Sequence, residues 1–415
     1  MKVMIDPKHL QKGMYVAELD RPWLESPFLF QGFRITNIDE LEQLDNICEY
    51  VFVDPEKSAI PVPNNLSAIP MRSKVNRVKT SIYIKPTPKF EATFEQEYPK
   101  AREMYNLSKD NVTNIFGDVR LGRSLDVAEV KYTVTSMVDS IVRHPDAMML
   151  LATLQDKSNQ AVTHAVNVCT LAITFGRFLG FEKKELTELG MGALLHDIGE
   201  TKIPKEILEN FSNCNTEDIK TFQDHTTFGA AILHNTKGLP DSVIAIARDH
   251  HERANGSGYP QSLSVEQLDI FTMIVAISDV YDNVTTGMYG KPPVPCTETL
   301  KNIYVWREDL FDALLVEKFI QCLGIYPVGS VVELNTGEIG IVVTNNPETR
   351  LFPKVLLVRD KDQRAIDPPK IINLDIFRTD ENKHKYEISR VVQADDYGID
   401  LRNYILREMP LQTTA

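Results

Sequence analysis

The chain has 415 residues, a formal net charge of −13 and a hydrophobic content of 43%. A chain of this length has room for two or three domains with hydrophobic cores. The acidic charge argues against binding to DNA or RNA, for which a basic face is expected. The sequence contains no run of eighteen apolar residues and no signal-peptide core near its start. We therefore expect no membrane segment and a cytoplasmic location.

Residues 1–57 alternate apolar and polar side chains and predict a small N-terminal α+β domain. Strands are predicted at Met14–Leu19, Phe28–Phe33 and Tyr50–Val53, with a helix over Ile38–Cys48. Residues 58–90 are rich in Pro, Ser, Asn and Lys, have no hydrophobic period and predict a linker. Its basic run is interpreted as solvated linker, with a partner-binding arm as the alternative.

Residues 91–325 show the spacing of apolar side chains that is typical of helices, most clearly over Ser124–Arg143 and Ala161–Leu179. From residue 326 onward, apolar and polar side chains again alternate with the period of two that is typical of strands. Strands are predicted at Gly329–Leu334, Ile339–Thr344 and Lys354–Val358, and Asn335-Thr-Gly predicts a hairpin between the first two. The predicted fold class is multidomain α+β. An all-α domain at 91–325, with its core at 158–322, is flanked by the N-terminal domain and a β-rich C-terminal extension at 326–415.

Six of the nine histidines fall between His164 and His251. The candidate metal ligands in and near this region are His164, His196, Asp197, His225, His250, His251 and Asp279. Imidazoles and carboxylates without a thiolate suit a hydrolytic pair of divalent cations. Such a pair, about 3.5–4 Å apart, stabilises the attacking and leaving oxygens of a phosphoryl displacement. A single histidine is more often an ordinary core or surface residue, but seven ligand-type residues in separate helical segments favour a metal site.

Four segments resemble the HD-GYP domain, a bacterial subgroup of the HD phosphohydrolase superfamily. They are LLHDIGETKIP (194–204), DHTTFGAAIL (224–233), HHERANGSGYP (250–260) and ISDVYD (277–282). KGMYVAELDRPWLESPFLFQGF is similar to the small domain of unknown function often found before HD-GYP domains. YPVGSVVELNTGEIGIVV is similar to a common extension after them. The resemblance implies an all-helical domain in which metal-activated hydroxide hydrolyses cyclic di-GMP to linear pGpG, and in some members further to GMP.

The resemblance also implies roles for particular residues. It makes the seven candidates above metal ligands, with Asp197 bridging two divalent ions, iron or manganese. Lys202 is a candidate catalytic residue, and the candidate substrate-binding residues are Gly258, Tyr259, Pro260 and Lys291. Members with a third metal carry a Glu where this chain has Gln160, so two ions per chain are expected. The possible protein partners are a second copy of the chain, forming a homodimer, or GGDEF-type signalling proteins.

Several positions depart from the family pattern. Glu200 stands where a Lys is frequent, Asn255 where an Asp is usual, and Met288 where an Arg often grips substrate phosphate. These departures keep open a degenerate sensor that binds a cyclic dinucleotide or a partner without turnover. The substrate alternatives are cyclic di-GMP and 3'3'-cyclic GMP-AMP. A generic HD hydrolase acting on a nucleoside phosphate is disfavoured by Gly258-Tyr-Pro and by the flanking domains.

Overall fold

The computed structural model of the chain divides into two compact units, Met1–Ile82 and Tyr83–Ala415. The residues that the structure describes are 3–19, 33–35, 38–48, 50–55, 57–62, 90–154, 159–346, 349, 351–378 and 386–406. Most of the predicted linker, the basic run from Arg72 to Lys85 and most of the predicted strand Phe28–Phe33 lie outside these residues. The domain boundaries predicted at residues 57, 90 and 325 stay predictions.

The first unit is an antiparallel sheet with one helix. Its four strands are β1 (Val3–Ile5), β2 (Tyr15–Leu19), β3 (Phe33–Arg34) and β4 (Val51–Val53), in the order β1-β4-β2-β3. Helix α1 (Ile38–Ile47) precedes β4. Alternate strand residues such as Val3, Val16 and Val53 are buried, because successive side chains of a strand point to opposite faces. The sheet therefore has one core-facing side, and Leu44 of α1 is also fully buried.

The first part of the second unit is helical. Its helices are α2 (Phe94–Arg120), α3 (Val127–Arg143), α4 (Pro145–Ala152), α5 (Gln160–Phe178), α6 (Lys183–Leu195), α7 (Lys205–Glu209), α8 (Thr216–Gln223), α9 (His225–His234), α10 (Asp241–Asp249), α11 (Ile270–Thr286), α12 (Cys296–Val305) and α13 (Ala313–Leu323). Every residue of α5 from 162 to 177 is buried. A helix that is covered on all sides belongs at the centre of a bundle, and α2, α6 and α11 pack around it.

Side-chain caps define where several of these helices begin. The Thr93 side chain accepts from the amide of Gln96, and the Gln96 side chain accepts from the amide of Thr93. Asp126 caps α3, and Asp269 caps α11 by accepting from the amide of Phe271 at 2.7 Å. These bonds satisfy amides that have no intrahelical partner. The Asp269 cap fixes the residue at which α11 begins, and thereby the position of its acidic residues along the bundle.

The chain continues into a five-stranded antiparallel sheet. Its strands are β5 (Val331–Leu334), β6 (Ile339–Thr344), β7 (Lys354–Arg359), β8 (Ala365–Asn373) and β9 (Ile388–Val392), in the order β8-β7-β6-β5-β9. The β5–β6 hairpin turns at Gly337, whose φ is +94°. Helix α14 (Arg402–Ile405) follows. The sheet contacts the helices through Asp146, whose carboxylate accepts from the Thr344 hydroxyl at 2.6 Å and from the Asn345 amide at 2.9 Å.

The predicted elements agree closely with those observed. The helix predicted over Ser124–Arg143 is α3, and the three predicted C-terminal strands are β5, β6 and β7, each within two residues at its ends. Strands β1, β3, β8 and β9 were not predicted as such. Among the described residues, no helix is both long and apolar enough to cross a bilayer.

Candidate metal centre

The residues predicted as metal ligands come from five places in the helical bundle. They are His164 in α5, His196 and Asp197 at the end of α6, His225 at the start of α9, His250 and His251 after α10, and Asp279 in α11. All are buried except His251, which is half-buried. Gly199 lets two of these segments touch, because a Cβ there would lie 1.9 Å from the carbonyl oxygen of His225. The bundle therefore brings all seven residues to one region of its interior.

Asp197 lies between two pairs of imidazoles. Its Oδ2 is 3.1 Å from Nε2 of His196 and 3.6 Å from Nε2 of His164. Its Oδ1 is 3.3 Å from Nε2 of His250 and 3.4 Å from Nε2 of His225. Asp197 belongs to two groups of residues that could each hold a cation. One group also contains His164 and His196, and the other contains His225, His250 and His251. Within each group the ligand atoms lie within 4.8 Å of one another. This is the arrangement that a bridging carboxylate requires.

Backbone carbonyls orient three of the imidazoles. Nδ1 of His196 lies 2.8 Å from the oxygen of Ala193, Nδ1 of His225 lies 2.7 Å from that of Phe222, and Nδ1 of His250 contacts its own helix at 3.1 Å. A carbonyl only accepts, so each Nδ1 carries a proton and Nε2 is the ring nitrogen that remains to bind a metal ion. All three Nε2 atoms face Asp197.

Three buried atoms at the centre form no hydrogen bond of good geometry among the described residues. They are Nε2 of His196, which faces Asp197 at 3.1 Å without forming one, Oδ2 of Asp279 and Oδ1 of Asn283. Buried polar atoms are almost always satisfied, and an unpaired one costs about 1–3 kcal/mol. An imidazole lone pair and a carboxylate oxygen are both ligands of divalent cations such as zinc, iron and manganese. The donor set therefore fits metal ions at these positions.

Burial and the two carboxylates set the charges at the centre. Burial lowers the pKa of His225 to about 4 and that of His251 well below its usual range, so both rings are neutral at pH 7. Burial also opposes a charge on His196, but Asp197 and Asp279 raise its pKa to about 10. Burial disfavours an ionised Asp197, yet the imidazoles, His196 first, hold its pKa well below the usual value. In the metal-free protein, protons on the imidazoles compensate the negative charge of the two carboxylates. A bound cation would displace those protons.

The Gly-Tyr-Pro loop packs against the segment that carries the last two histidines. The ring of Tyr259 stacks on His251, with ring centroids 4.7 Å apart and planes inclined by 25°. A Cβ at Gly258 would lie 2.4 Å from Cα of Glu252, so only glycine fits there. The Glu252 carboxylate also accepts from the amide of Gln261 at 2.6 Å. The loop thus shapes one wall of the site, and Pro260 is exposed at its tip.

The predicted cationic residues lie outside the ligand cluster. The Lys202 ammonium donates to the carbonyl of Val119 at the end of α2, at 3.3 Å. Lys291 is exposed in the segment that follows α11. Gln160 is exposed in the first turn of α5, one turn before His164. The catalytic role of Lys202, the substrate contacts and the ligand roles stay predictions.

Four further residues at the centre were not predicted. Asp282 Oδ2 lies 2.7 Å from Nδ1 of His164, and Asn167 donates to Asp282 Oδ1 at 3.0 Å. Asn283 donates to Asp279 Oδ1 at 2.6 Å, and the Tyr289 phenol donates to Glu200 Oε1 at 2.7 Å. One signal could have found Asp282 and Asn283, because residues three and four positions after Asp279 share its helix face.

Three family models match successive parts of the chain. A domain of unknown function, DUF3391, matches residues 2–130, an HD domain matches residues 148–315, and a KOW domain associated with HD domains matches residues 331–397. The second match contains the His-Asp pair, the other candidate ligands and the Gly-Tyr-Pro loop. Residues 148–315 therefore form an HD domain, and their Gly-Tyr-Pro loop gives them the resemblance to the HD-GYP group. The resemblance noted from the motifs and the predicted fold class are confirmed.

Curated relatives of this chain are named as phosphodiesterases. The cyclic di-GMP phosphodiesterase PA4108 of Pseudomonas aeruginosa is 28% identical over 88% of this chain and 87% of the relative. A cyclic di-GMP phosphodiesterase of Thermotoga maritima is 31% identical over 38% of this chain and 43% of the relative. The 3'3'-cGAMP-specific phosphodiesterase 2 of Vibrio cholerae is 24% identical over 55% of this chain and 41% of the relative. The match thus extends over most of both chains for the first of these three relatives and over less than half of the other two.

Proposed function

We propose that the chain is a metal-dependent phosphodiesterase that hydrolyses cyclic di-GMP to linear pGpG. The observation that carries the proposal is the position of Asp197, with one carboxylate oxygen facing His164 and His196 and the other facing His225 and His250. The P. aeruginosa relative, which matches most of both chains, supports cyclic di-GMP as the substrate.

The seven predicted ligands would hold two divalent cations, iron or manganese. His164, His196 and Asp279 would face one ion, and the remaining three histidines the other, with Asp197 shared. Such a pair would polarise a phosphodiester and lower the pKa of a water molecule. The Nδ1 atoms bonded to carbonyls would keep these imidazoles in the tautomer that binds a metal ion through Nε2.

The substrate contacts belong to the same proposal. The Tyr259 ring, stacked on His251, offers an aromatic face beside the ligands, and the loop through Gly258 and Pro260 holds that ring in place. The exposed ammonium of Lys291 lies in the segment that leaves α11 and would attract a phosphate. We place the protein in the cytoplasm, with a homodimer or a GGDEF-type protein as its signalling partner.

Asp197→Asn and Asp197→Ala test the proposal. Both should lower metal content and reduce hydrolysis of cyclic di-GMP by at least about a thousandfold, because two cations would then lose their shared carboxylate. Metal content is measured by elemental analysis, and hydrolysis by chromatography under anaerobic conditions with iron or manganese present. Full activity of the metal-replete Ala variant would contradict the proposed role of Asp197.

The same assay separates the alternatives. Wild-type protein is incubated with cyclic di-GMP and, in parallel, with 3'3'-cyclic GMP-AMP, the substrate named for the V. cholerae relative. If 3'3'-cyclic GMP-AMP is cleaved faster than cyclic di-GMP, the preferred substrate is 3'3'-cyclic GMP-AMP. Tight binding of either nucleotide without product from the metal-loaded protein would establish a sensor without turnover.

A further inference from the structure

His164 differs from the other three fully buried histidines of the metal centre in how its ring is oriented. His196, His225 and His250 lie at helix ends, where backbone carbonyls are available to a nearby ring. His164 lies inside α5, where the carbonyls are bonded to amides four residues further on. Its Nδ1 instead meets the carboxylate of Asp282 on α11, at 2.7 Å. The orientation of this ring therefore depends on a side chain of another helix.

Asp282 is itself buried and needs a donor on its other oxygen. Its side chain is 5% exposed, and an unsatisfied carboxylate at such a position is costly. The Asn167 amide donates to Asp282 Oδ1 at 3.0 Å. Asn167 Oδ1 in turn accepts from the Tyr105 phenol at 3.1 Å. Because Asn167 lies one turn after His164 on α5, it reaches the carboxylate that orients that ring.

We infer that Asn167 and Tyr105 are positioning residues for the metal centre. Three successive hydrogen bonds run from Tyr105 on α2 through Asn167 on α5 and Asp282 on α11 to Nδ1 of His164. The other ring nitrogen of His164 lies 3.0 Å from Asp279 and 3.6 Å from Asp197. The inference rests on the proposed metal centre, because His164 is one of its proposed ligands.

The bonds act by fixing two properties of the His164 ring. The Asp282 carboxylate accepts the proton of Nδ1 and so leaves the lone pair on Nε2, which faces the centre. The Asn167 amide fixes the plane of that carboxylate, and the Tyr105 phenol fixes which end of the amide donates. Loss of such an outer partner weakens metal binding about 10- to 100-fold in other metal sites.

Two variants and two controls test the inference by metal binding alone. Asn167→Leu removes the amide with little change in volume, and Tyr105→Phe removes one hydroxyl. Tyr98→Phe is the control for the second, because this phenol lies on the same helix and donates to a carbonyl far from the centre, that of Ile405. Asn111→Leu is the control for the first, because this amide on α2 donates to Thr133 at 2.8 Å.

The measurement is the dissociation constant for Mn²⁺, from chelator competition, together with the melting temperature of each metal-free protein. Asn167→Leu should bind Mn²⁺ about 10- to 100-fold more weakly, and Tyr105→Phe about 2- to 10-fold more weakly. The two controls should bind it as the wild type does. If Asn167→Leu does not fold, Tyr105→Phe against Tyr98→Phe decides.

The outcomes separate this inference from the proposed function. Wild-type protein that binds no Mn²⁺ and no Fe²⁺ would overturn the metal centre itself. If the wild type binds Mn²⁺ and Tyr105→Phe and Asn167→Leu bind it equally well, the positioning role is wrong while the centre stands. If the variants and the controls bind Mn²⁺ equally weakly, and their melting temperatures fall in parallel, the residues have a structural role only. That result would also overturn the inference.

Discussion

The phenol of Tyr289 donates to the buried carboxyl of Glu200 at 2.7 Å, across 89 residues of sequence. Glu200 lies one turn of a 3₁₀-helix after Asp197, and side chains three residues apart eclipse in such a helix. The Tyr289 ring is held by Phe211 and Phe222, with ring centroids 5.0 and 5.3 Å away. A residue that departs from the family pattern is therefore built into the wall of the site by an aromatic cluster.

The stability of the metal-free protein should fall as the pH rises because of Glu200. Burial, and then the charge of Asp197, raise the pKa of Glu200 from 4.5 to about 8. The folded protein keeps a proton that the unfolded chain releases, so this contribution is complete below the unfolded pKa and is lost as the pH rises through the folded pKa. Glu200→Gln keeps an oxygen for Tyr289 and should remove this dependence.

Thermal unfolding of both metal-free proteins between about pH 5 and pH 8 checks this prediction. The melting temperature of the wild type should fall relative to that of Glu200→Gln across this interval. Tyr289→Phe, which removes the donor but keeps the carboxyl, should retain the wild-type trend. Parallel curves for the wild type and Glu200→Gln would show that Glu200 ionises normally in the folded protein.

Gly258→Ala should destabilise the wall of the site. The new Cβ would lie 2.4 Å from Cα of Glu252 and 2.5 Å from the amide nitrogen of Arg253, so the backbone must move. We expect a loss of about 1–3 kcal/mol in the free energy of unfolding, as for other overpacked positions. Gly117→Ala on α2 is the matched control, because no atom would lie within 4 Å of its Cβ. That change should stabilise the protein by about 0.5–1 kcal/mol.

Denaturant unfolding of both variants gives these free energies. The stacking of Tyr259 on His251 should also be lost in Gly258→Ala, with weaker Mn²⁺ binding as the result. A Gly258→Ala protein as stable as the wild type would mean that the loop can move away from α10 without cost.

Purified protein should hold about two metal ions per chain, because Gln160 offers a neutral amide where a third ion would need a carboxylate. Gln160 is exposed one turn before His164, so Gln160→Glu can be made without disturbing the core. Elemental analysis of the two proteins checks this. Three ions in the wild type would contradict the prediction, and a gain of one ion in Gln160→Glu would support it.

Linear pGpG should be consumed more slowly than cyclic di-GMP. The linear product carries an additional phosphate charge, and the chain has Met288, a buried apolar residue, where a cation would grip it. One charge-assisted hydrogen bond contributes about 1.5–3 kcal/mol, so the second cleavage should be roughly 10- to 150-fold slower than the first. A chromatographic time course measures both steps, with Met288→Arg expected to speed the second and Met288→Leu to leave it unchanged. Immediate formation of GMP by the wild type would contradict this prediction.

Six of the seven ligand candidates could be selected from the sequence because they lie in short motifs whose residue types are unusual in a helical core. His164 lies outside those motifs, and the ligand roles stay predictions. The partner network was harder to predict. The spacing of Asp282 from Asp279 places it on the same helix face, but only the fold shows that its partner is His164, 118 residues away. Asn167 and Tyr105 have no local signal, since a buried amide and a buried phenol are recognised only by their partners.

The missed strand β8 has a local reason. Residues 365–373 contain two adjacent prolines, Pro368 and Pro369, and proline cannot donate to a neighbouring strand. The structure places β8 at the edge of the sheet, beside β7 only, where such residues are tolerated. The adjacent prolines therefore gave no strand signal at a position where the fold has an edge strand.

Helix α2 has a consequence for how the protein is made. Its Tyr98 phenol donates to the carbonyl of Ile405, 307 residues later, and Arg102 donates to the carbonyl of Leu406 at 3.1 Å. Tyr105, on the same helix, begins the hydrogen bonds that reach His164. During synthesis the Ile405 carbonyl is added 307 residues after Tyr98, so α2 cannot complete these contacts until that intervening stretch has been made. A nascent chain released early would carry every candidate ligand and still lack the final contacts of the helix that braces them.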